Sequence, residues 1–302
     1  MNKPQFLISG DPEVMLCDEN GEVQSSIPIL RHDKHSPIIL DKKTGTQIFS
    51  DNVLCEFSFD PSGSKKELID KYHAALQKIQ QHIGKKYRIL AKSAHVYKDE
   101  DLNESFGVNP KEIGCSPSFC FRRREIKQLN FEDASSPNMR SGSAHLHLSS
   151  PILKTLEDKE TILHLIEAHV GLASVIWDKD ETSIERRKVY GKSGEMRLPQ
   201  GEGRVEARFM SNYILRSPAL IDLAYDLVEY CFSLMYDGKA KEVLKSVNGE
   251  MVEKAINECD CEVAKSVLKD IGIPKNLFKR IMAYEKVNFS AASLYKNWKI
   301  KV

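Results

Sequence analysis

The apolar pattern divides the chain near residue 214, with short apolar runs and turns before it and helical spacing after it. Residues 6–30 contain apolar runs on both sides of Asn20-Gly21, a dipeptide typical of tight hairpins, and so predict strand, turn and strand. In residues 53–59, VLCEFSF, every second residue from Val53 is apolar, which predicts a strand with one buried face. Residues 87–97, 142–149 and 203–209 are also predicted strands.

Helix signals separate and follow these strands. Ser64 and Glu67 form a capping-box pattern that opens an amphipathic helix, and Gly84 ends it. Residues 158–177 are mostly apolar and predict a buried helix. Ser217-Pro218 opens a further helix to about residue 236, and the helical tail beyond it is interrupted at residues 272–274.

These elements predict an α+β fold in which helices pack on one side of an antiparallel sheet. Residues 1–238 are predicted to form one domain and residues 239–302 a helical C-terminal extension packed on it.

Composition narrows the class of partner. The 302 residues include 44 Lys and Arg against 43 Asp and Glu, a net charge of +1, so nucleic acid is not the expected partner. No apolar run approaches the length of a membrane span, and the seven cysteines form no CxxC pair. A cytoplasmic protein with reduced thiols is therefore predicted.

The predicted strand at 142–149 places His145 and His147 on one face, because side chains alternate along a strand. Such a pair can share a metal ion or flank a ligand. A surface strand with two solvated histidines explains the same spacing, and the pattern alone leaves both interpretations open.

The predicted strand at 203–209 places Arg204, Glu206 and Arg208 on one face in the same way. These charges are expensive to bury unless they face ligands or one another, whereas a solvated ladder of opposite charges has no such cost. Both remain open.

Three acids stand out near the beginning of the chain. Asp11 and Glu13 are two residues apart, which fits either a paired ligand set or a simple Asp-Pro turn. Glu56 lies within an apolar strand, where an arginine or a metal ion is the expected partner.

A glycine-rich basic segment, residues 184–204, carries Arg186, Arg187, Lys192 and Arg197 towards the later strand. Arginine forks suit phosphate oxygens, although a solvated charged loop is equally compatible with the pattern. Carboxylates with an occasional histidine suit Mg²⁺ or Mn²⁺ more than zinc. Metal and arginines together indicate phosphoryl transfer from a nucleotide.

The motifs also resemble a known family. SGSAHLHLSS and RVEARF resemble the strand signatures of glutamine synthetase-like enzymes. GDPEVML, DNVLCEFSFDP, EIGCSPSF, RSGSAHLHL and RRKVYGKSGEMRLPQGEGRVEARFMSN, in this order, resemble the tailed-phage carboxylate-amine ligases, the type 2 amidoligases. The resemblance covers about residues 8–213. It implies a glutamine synthetase-like antiparallel sheet that forms the active-site cleft.

The resemblance also implies roles for individual residues. The implied metal ligands are Asp11, Glu13, Glu56, His145 and Glu206. The implied nucleotide contacts are Arg204, Arg186, Arg187, Lys192 and Ser149. The implied catalytic residues are Arg208, Arg197 and His147. The family's middle motif carries acidic residues around its proline, where this chain has Ser116 and Ser118.

The implied reaction is ATP-dependent amide formation with Mg²⁺ or Mn²⁺, through an acyl phosphate, in the cytoplasm of the host if a phage encodes the chain. Small molecules or peptides would supply the carboxylate and the amine, and a modified base is the one nucleic-acid substrate that fits. Three alternatives stay open: a small-molecule kinase, a non-catalytic nucleotide- or partner-binding protein, and a metallohydrolase. Homo-oligomer formation is open as well.

Overall fold

The structure is a computed structural model that describes residues 4–110, 118–127 and 134–302. The strands of this described part are β1 Leu7–Ser9, β2 Glu13–Asp18, β3 Val23–Gln24, β4 Ile38–Asp41, β5 Thr46–Asp51, β6 Leu54–Ser58, β7 Tyr87–Leu90, β8 Ala94–Val96, β9 Ser118–Cys120, β10 Glu125–Lys127, β11 Met139–Ser141, β12 Leu146–Ser149, β13 Glu195–Arg197 and β14 Arg204–Ala207. Its α-helices are α1 Ile27–Leu30, α2 Lys65–Ile83, α3 Leu156–Ile166, α4 Leu172–Trp177, α5 Ser183–Val189, α6 Pro218–Tyr236, α7 Ala240–Lys245, α8 Gly249–Asn257, α9 Cys261–Asp270, α10 Lys275–Glu285 and α11 Ser293–Trp298.

The strands form two antiparallel sheets rather than one. The first sheet has the order β1-β12-β14-β13-β9-β10, and the second has the order β3-β2-β6-β5-β4 with β7 also paired to β2. A separate ladder joins β8 to β11. The α+β class is confirmed, and the prediction of a single sheet is wrong because β1 and β2, adjacent in sequence, belong to different sheets.

Residues 10–12 carry the chain from the first sheet to the second. An added Cβ at Gly10 would lie 2.7 Å from the carbonyl oxygen of His145, so this crossing requires a glycine. The close approach brings the end of β1 and the start of β2 against the segment that leads into β12.

Several predicted strands are shorter than the sequence indicated. The hairpin at Asn20-Gly21 is present, but its second strand has two residues and Ile27–Leu30 is helical, with Pro28 in the first helical turn where proline is tolerated. Residues 87–97 form two strands, β7 and β8, separated by residues 91–93. The strand predicted at 142–149 begins at Leu146.

The helix predictions agree closely with the structure. Ser64 caps α2, because its side chain accepts a hydrogen bond from the backbone N–H of Glu67. The second bond of the predicted capping box differs by one residue, since the Glu67 carboxylate accepts the N–H of Gly63 and not that of Ser64. The buried helix at 158–177 consists of α3, a π-helical segment at Glu167–Gly171, and α4. A π segment is often found where a helix side chain is functionally placed.

Helices α7–α11 extend the core of the preceding residues. Ile256, Leu268, Ile281 and Leu294 are buried in the same hydrophobic cluster as residues of α3, α4 and α6. At the end of α11, Trp298 is 3% exposed and its Nε1–H donates to the carbonyl of Leu215 over 2.6 Å. None of the described helices is long and apolar enough to cross a membrane.

We expect Trp298→Ala to lower the free energy of unfolding by about 3–5 kcal/mol, because it empties a buried aromatic site and leaves the Leu215 carbonyl unpaired. Urea unfolding measures the change, and Lys296→Ala on the exposed side of α11 is the matched control. A loss below about 1 kcal/mol would show that the end of the chain is not tied to the core.

Candidate active site

Four strands of the first sheet align a row of polar side chains. In the antiparallel register Ser9 lies opposite His147, His147 opposite Glu206, and Glu206 opposite Arg197. Because opposed residues share a face, all four point to the same side of the sheet. Their neighbours Leu148 and Val205 point into the core. The period-two alternation of these strands therefore builds one polar face.

Asp11, in the crossing between the sheets, lies against both histidines. Its Oδ1 is 2.9 Å from His145 Nδ1, and its Oδ2 is 3.1 Å from His147 Nε2. Burial alone would raise the pKa of Asp11, but the two histidines outweigh it and hold that pKa below its ordinary value. The hydrogen bond and charge of Asp11 raise the pKa of His147, against the opposite effect of burial.

Asp11, His145, His147 and Glu206 form the histidine–carboxylate cluster, in which one ligand atom from each residue lies within 4.8 Å of the others. Glu206 is fully buried, and neither of its carboxylate oxygens accepts a hydrogen bond from the described residues. Buried carboxylate oxygens in this condition fit a bound cation. The cluster thus offers two carboxylates, which suit Mg²⁺ or Mn²⁺, and two imidazoles, which softer divalent metals such as Zn²⁺ or Fe²⁺ favour.

Two arginines flank Glu206. Arg208 Nε lies 3.1 Å from Oε1, and Arg197 Nη1 lies 3.4 Å from Oε2. Arg208 is buried and also donates to Ser118 Oγ over 2.6 Å, whereas Arg197 is 33% exposed. Ser116, the other serine of that motif, lies outside the described residues.

Glu13, Asp51 and Glu56 form the three-carboxylate cluster on the second sheet. Glu13 lies directly opposite Glu56 in the register of β2 and β6, and Asp51 ends β5 beside them. Like charges in direct opposition destabilise a sheet unless a proton or a cation lies between them. Within the described residues Glu56 therefore meets carboxylates rather than an arginine.

The pKa values of this cluster are all raised. Burial, followed by the charges of Asp51 and Asp11, raises the pKa of Glu13 to about 7 even though His145 opposes the shift. Burial and the neighbouring carboxylates raise the pKa of Glu56 well above its usual value, and burial raises that of Asp51. The cluster holds protons that a divalent cation would displace.

The predicted basic residues take different positions. Arg186 is fully buried, and its guanidinium donates to the carbonyls of Phe209 and Met210 and to Ser143 Oγ. Burial lowers the pKa of Arg186 to about 10. Arg187 is buried, and Lys192 is half-buried in the loop after α5. Only the more exposed of these side chains can reach a ligand without rearrangement.

Two clefts open beside the clusters. The smaller, about 440 Å³, is lined by Asp11, His147 and Arg204 together with residues of the β4–β6 hairpins. The larger, about 1240 Å³, is lined by Ser149, Lys154, Lys159 and residues 201–203 among others. Arg204, which lines the smaller cleft, lies opposite Ser149, which lines the larger one, in the register of β14 and β12.

Sequence reasoning missed two residues of this site. Asp51 precedes the Asn52 turn of the β5–β6 hairpin, and an Asp-Asn pair at such a place has the pattern of an ordinary turn. Tyr190 follows α5, and its hydroxyl lies 2.9 Å from His145 Nε2. The tyrosine carries no charge pattern that would have indicated this contact.

No family model matches the chain, and no curated protein matches it. Among solved structures, the chain is similar to the crystal structure of a bifunctional glutathione synthetase from Pasteurella multocida, with 10% sequence identity and a TM-score of 0.44. The match covers 97% of this chain and 48% of that chain, so this chain spans about half the length of that protein.

In the metal-free protein we expect Glu13 to contribute a part of the free energy of unfolding that falls as the pH rises from 4.5 to about 7. The folded state binds the Glu13 proton more tightly than the unfolded state does, so this stabilisation is complete below the unfolded pKa and lost as the pH passes the folded one. A shift of this size corresponds to about 3 kcal/mol. The raised pKa values of Glu56 and His147 act in the same direction, whereas the pKa of His169, which burial lowers to about 4, acts in the opposite direction.

Urea unfolding across this pH range measures the slope of stability against pH. Relative to the wild type, Glu13→Gln should make this slope more positive, and Glu250→Gln, at an exposed position of α8, should leave it unchanged. Added Mg²⁺ should stabilise the protein more at pH 8 than at pH 5, because the carboxylates must lose their protons to bind it. Equal slopes in the two variants would contradict this account of Glu13.

Proposed function

We propose that this protein is an ATP-dependent carboxylate–amine ligase of the glutamine synthetase-like type. The observation that carries the proposal is the adjacency of two clusters of candidate metal ligands and two arginines beside the crossing between the two sheets. This set matches what phosphoryl transfer from a nucleotide requires, since metal ions and arginines neutralise the phosphates. The ordered sequence motifs, which cover about residues 8–213, support the same family.

In this proposal Asp11, His145, His147 and Glu206 hold one divalent cation, and the three-carboxylate cluster holds another. The cations are proposed to be Mg²⁺ or Mn²⁺, which the all-oxygen set of the three-carboxylate cluster favours. Bound there, they would supply charge neutralisation for the β and γ phosphates of ATP. Asp51 joins Glu13 and Glu56 as a ligand on the strength of its position alone.

The larger cleft is proposed to take the nucleoside end of ATP. Ser149 and residues 201–203 line it, and the register places Arg204 between this cleft and His147. The phosphates would then lie towards Arg204 and Arg197, with Lys192 on the neighbouring loop. Arg186, whose guanidinium donates to the carbonyls of Phe209 and Met210, would hold the backbone beneath the site rather than contact the nucleotide.

The proposed reaction has two steps. A carboxylate oxygen of the first substrate attacks the γ-phosphorus of ATP, the bond to the β,γ-bridging oxygen breaks, and ADP leaves. An unprotonated amine then attacks the acyl carbon, inorganic phosphate leaves, and the amine loses a proton. Arg208 and Arg197 would stabilise charge on the transferring group, and His147 would lie beside it.

Residues 239–302 are proposed to be an extension docked on the catalytic residues 1–238, as the shared hydrophobic cluster supports. The substrates are proposed to be small molecules or peptides, and the site of action the cytoplasm. ADP release that requires a carboxylate but no amine would replace this proposal with a small-molecule kinase.

We expect calorimetric titration to show ATP binding that depends on Mg²⁺ and weakens at least about tenfold in Glu206→Gln and in His145→Ala. His82→Ala, at the exposed end of α2, should bind as the wild type does. ADP release that depends on both a carboxylate and an amine would then establish the ligase. A folded wild-type protein that binds no ATP would leave the non-catalytic interpretation.

A substitution that fills the larger cleft tests nucleotide binding independently of metal binding. We expect Ser149→Phe to weaken ATP binding at least about tenfold, because the ring would occupy the space beside residues 201–203, while Mn²⁺ binding stays unchanged. Thr161→Phe on α3 is a control of the same size change outside the cleft lining. Unchanged ATP affinity in Ser149→Phe would place the nucleoside elsewhere.

A further inference from the structure

Tyr190 is the residue that completes the contacts of His145. Helix α5 ends at Val189, and the Tyr190 backbone is extended there, with its N–H bonded to the Arg186 carbonyl. Its side chain is 3% exposed. The hydroxyl reaches His145 Nε2 at 2.9 Å, opposite the Nδ1 that faces Asp11. Both ring nitrogens of His145 therefore have fixed partners.

These partners decide which nitrogen faces the cluster. Nδ1 lies 2.9 Å from Asp11 Oδ1 and 3.7 Å from Glu206 Oε1, so it is the atom that can join these carboxylates around a cation. A histidine that binds metal through Nδ1 carries its proton on Nε2 and needs an acceptor there. The phenolic oxygen can act as that acceptor, and it can donate instead when Nδ1 keeps the proton.

The ring of Tyr190 is itself held between two arginines. The guanidinium carbons of Arg186 and Arg208 lie 5.4 and 5.0 Å from the ring centroid. Arg186 is in turn fixed by backbone carbonyls of residues 208–210. An added Cβ at Gly191 would come within 2.1 Å of the Arg186 guanidinium, and φ is +69° there, so only glycine allows this packing.

The loop after Tyr190 is anchored on the side away from the cluster. Glu167, fully buried in the π-helical segment, accepts hydrogen bonds of 2.6 Å from Ser193 Oγ and from the N–H of Gly194. The side chain of Asn257, the last residue of α8, accepts the N–H of Ser193 over 2.8 Å. The C-terminal extension thus contacts the loop that carries Tyr190.

We propose that Tyr190 is a positioning residue whose hydroxyl holds the His145 ring with Nδ1 towards Asp11 and Glu206, and that Asn257 of the C-terminal extension steadies its loop. The proposal rests on the metal site of the proposed function and names no step of the reaction. It assigns the extension a part in metal binding.

The test is Mn²⁺ binding to Tyr190→Phe, measured by titration and by electron spin-echo spectroscopy of the bound ion. We expect the affinity to fall about 10- to 100-fold, as for other partners of metal-bound histidines. The number of histidine nitrogens coupled to Mn²⁺ should fall from two to one, which a general loss of stability would not produce. Tyr97→Phe is the control, because Tyr97 is equally buried and its hydroxyl has no hydrogen-bond partner among the described residues.

A second pair of variants tests the anchor within one helix. Asn257→Ala should weaken Mn²⁺ binding by less than about tenfold, while Asn248→Ala, which removes the N-cap of α8 and leaves the loop contact in place, should not weaken it. An effect of the same size in both variants would overturn the part assigned to Asn257.

Wild-type affinity and two coupled nitrogens in Tyr190→Phe would overturn the positioning role. These measurements use neither ATP nor substrate, so failure of the ligase proposal alone leaves them intact. A wild-type protein that binds no Mn²⁺ would overturn both this inference and the metal sites of the proposed function.

Discussion

The electrostatic cost of burying several carboxylates at the junction of two sheets is the constraint on which this site depends. Asp11 lies in the crossing between the sheets, with Glu206 on one side of it and Glu13, Asp51 and Glu56 on the other. Burial, and after it the charges of neighbouring carboxylates, raise the pKa values of Glu13 and Glu56 and so disfavour their ionised forms. Such an arrangement requires either bound protons or cations.

The protein's own cations compensate for only part of this charge. The two histidines act on Asp11, and Arg197 and Arg208 act on Glu206. In the three-carboxylate cluster Lys34 acts on Asp51 and His145 acts on Glu13, but burial still leaves the pKa values of its carboxylates raised. A divalent cation bound there would displace the protons that these raised pKa values favour.

The sequence predicted those parts of the site in which strand alternation determines the face that a side chain occupies. His147, Glu206 and Arg197 meet because their strands pair in register and each points to the same face. Alternation says nothing about which strands pair, so the division into two sheets was not predictable. Alternation also does not predict Asp51, because a residue next to a turn gives no sign of contact with β2 and β6. Nor does it predict Tyr190, which contacts His145 from the end of a helix.

Charge in the sequence is a poor guide to exposure, as the basic segment shows. Arg186 and Arg187 have the pattern of phosphate ligands, yet both are buried, and the first is occupied by backbone carbonyls and Ser143. A buried guanidinium with several donors can fix several backbone segments at once, which a shorter polar side chain cannot do. In this position it ties the end of α5 to the segment after β14 and supports the ring of Tyr190 from beneath.

The residues that hold the loop after Tyr190 in place lower the stability of the fold, and a large hydrophobic core is needed to offset that cost. The π-helical segment that places Glu167 and the buried Arg186 each have a cost in free energy that packing elsewhere must offset. Helices α8 to α11 supply part of that packing and also reach the loop after Tyr190 through Asn257. The same helices therefore stabilise the fold and restrict the motion of the loop. A change in their packing should displace Ser193, and through it the site, with less effect on the two sheets.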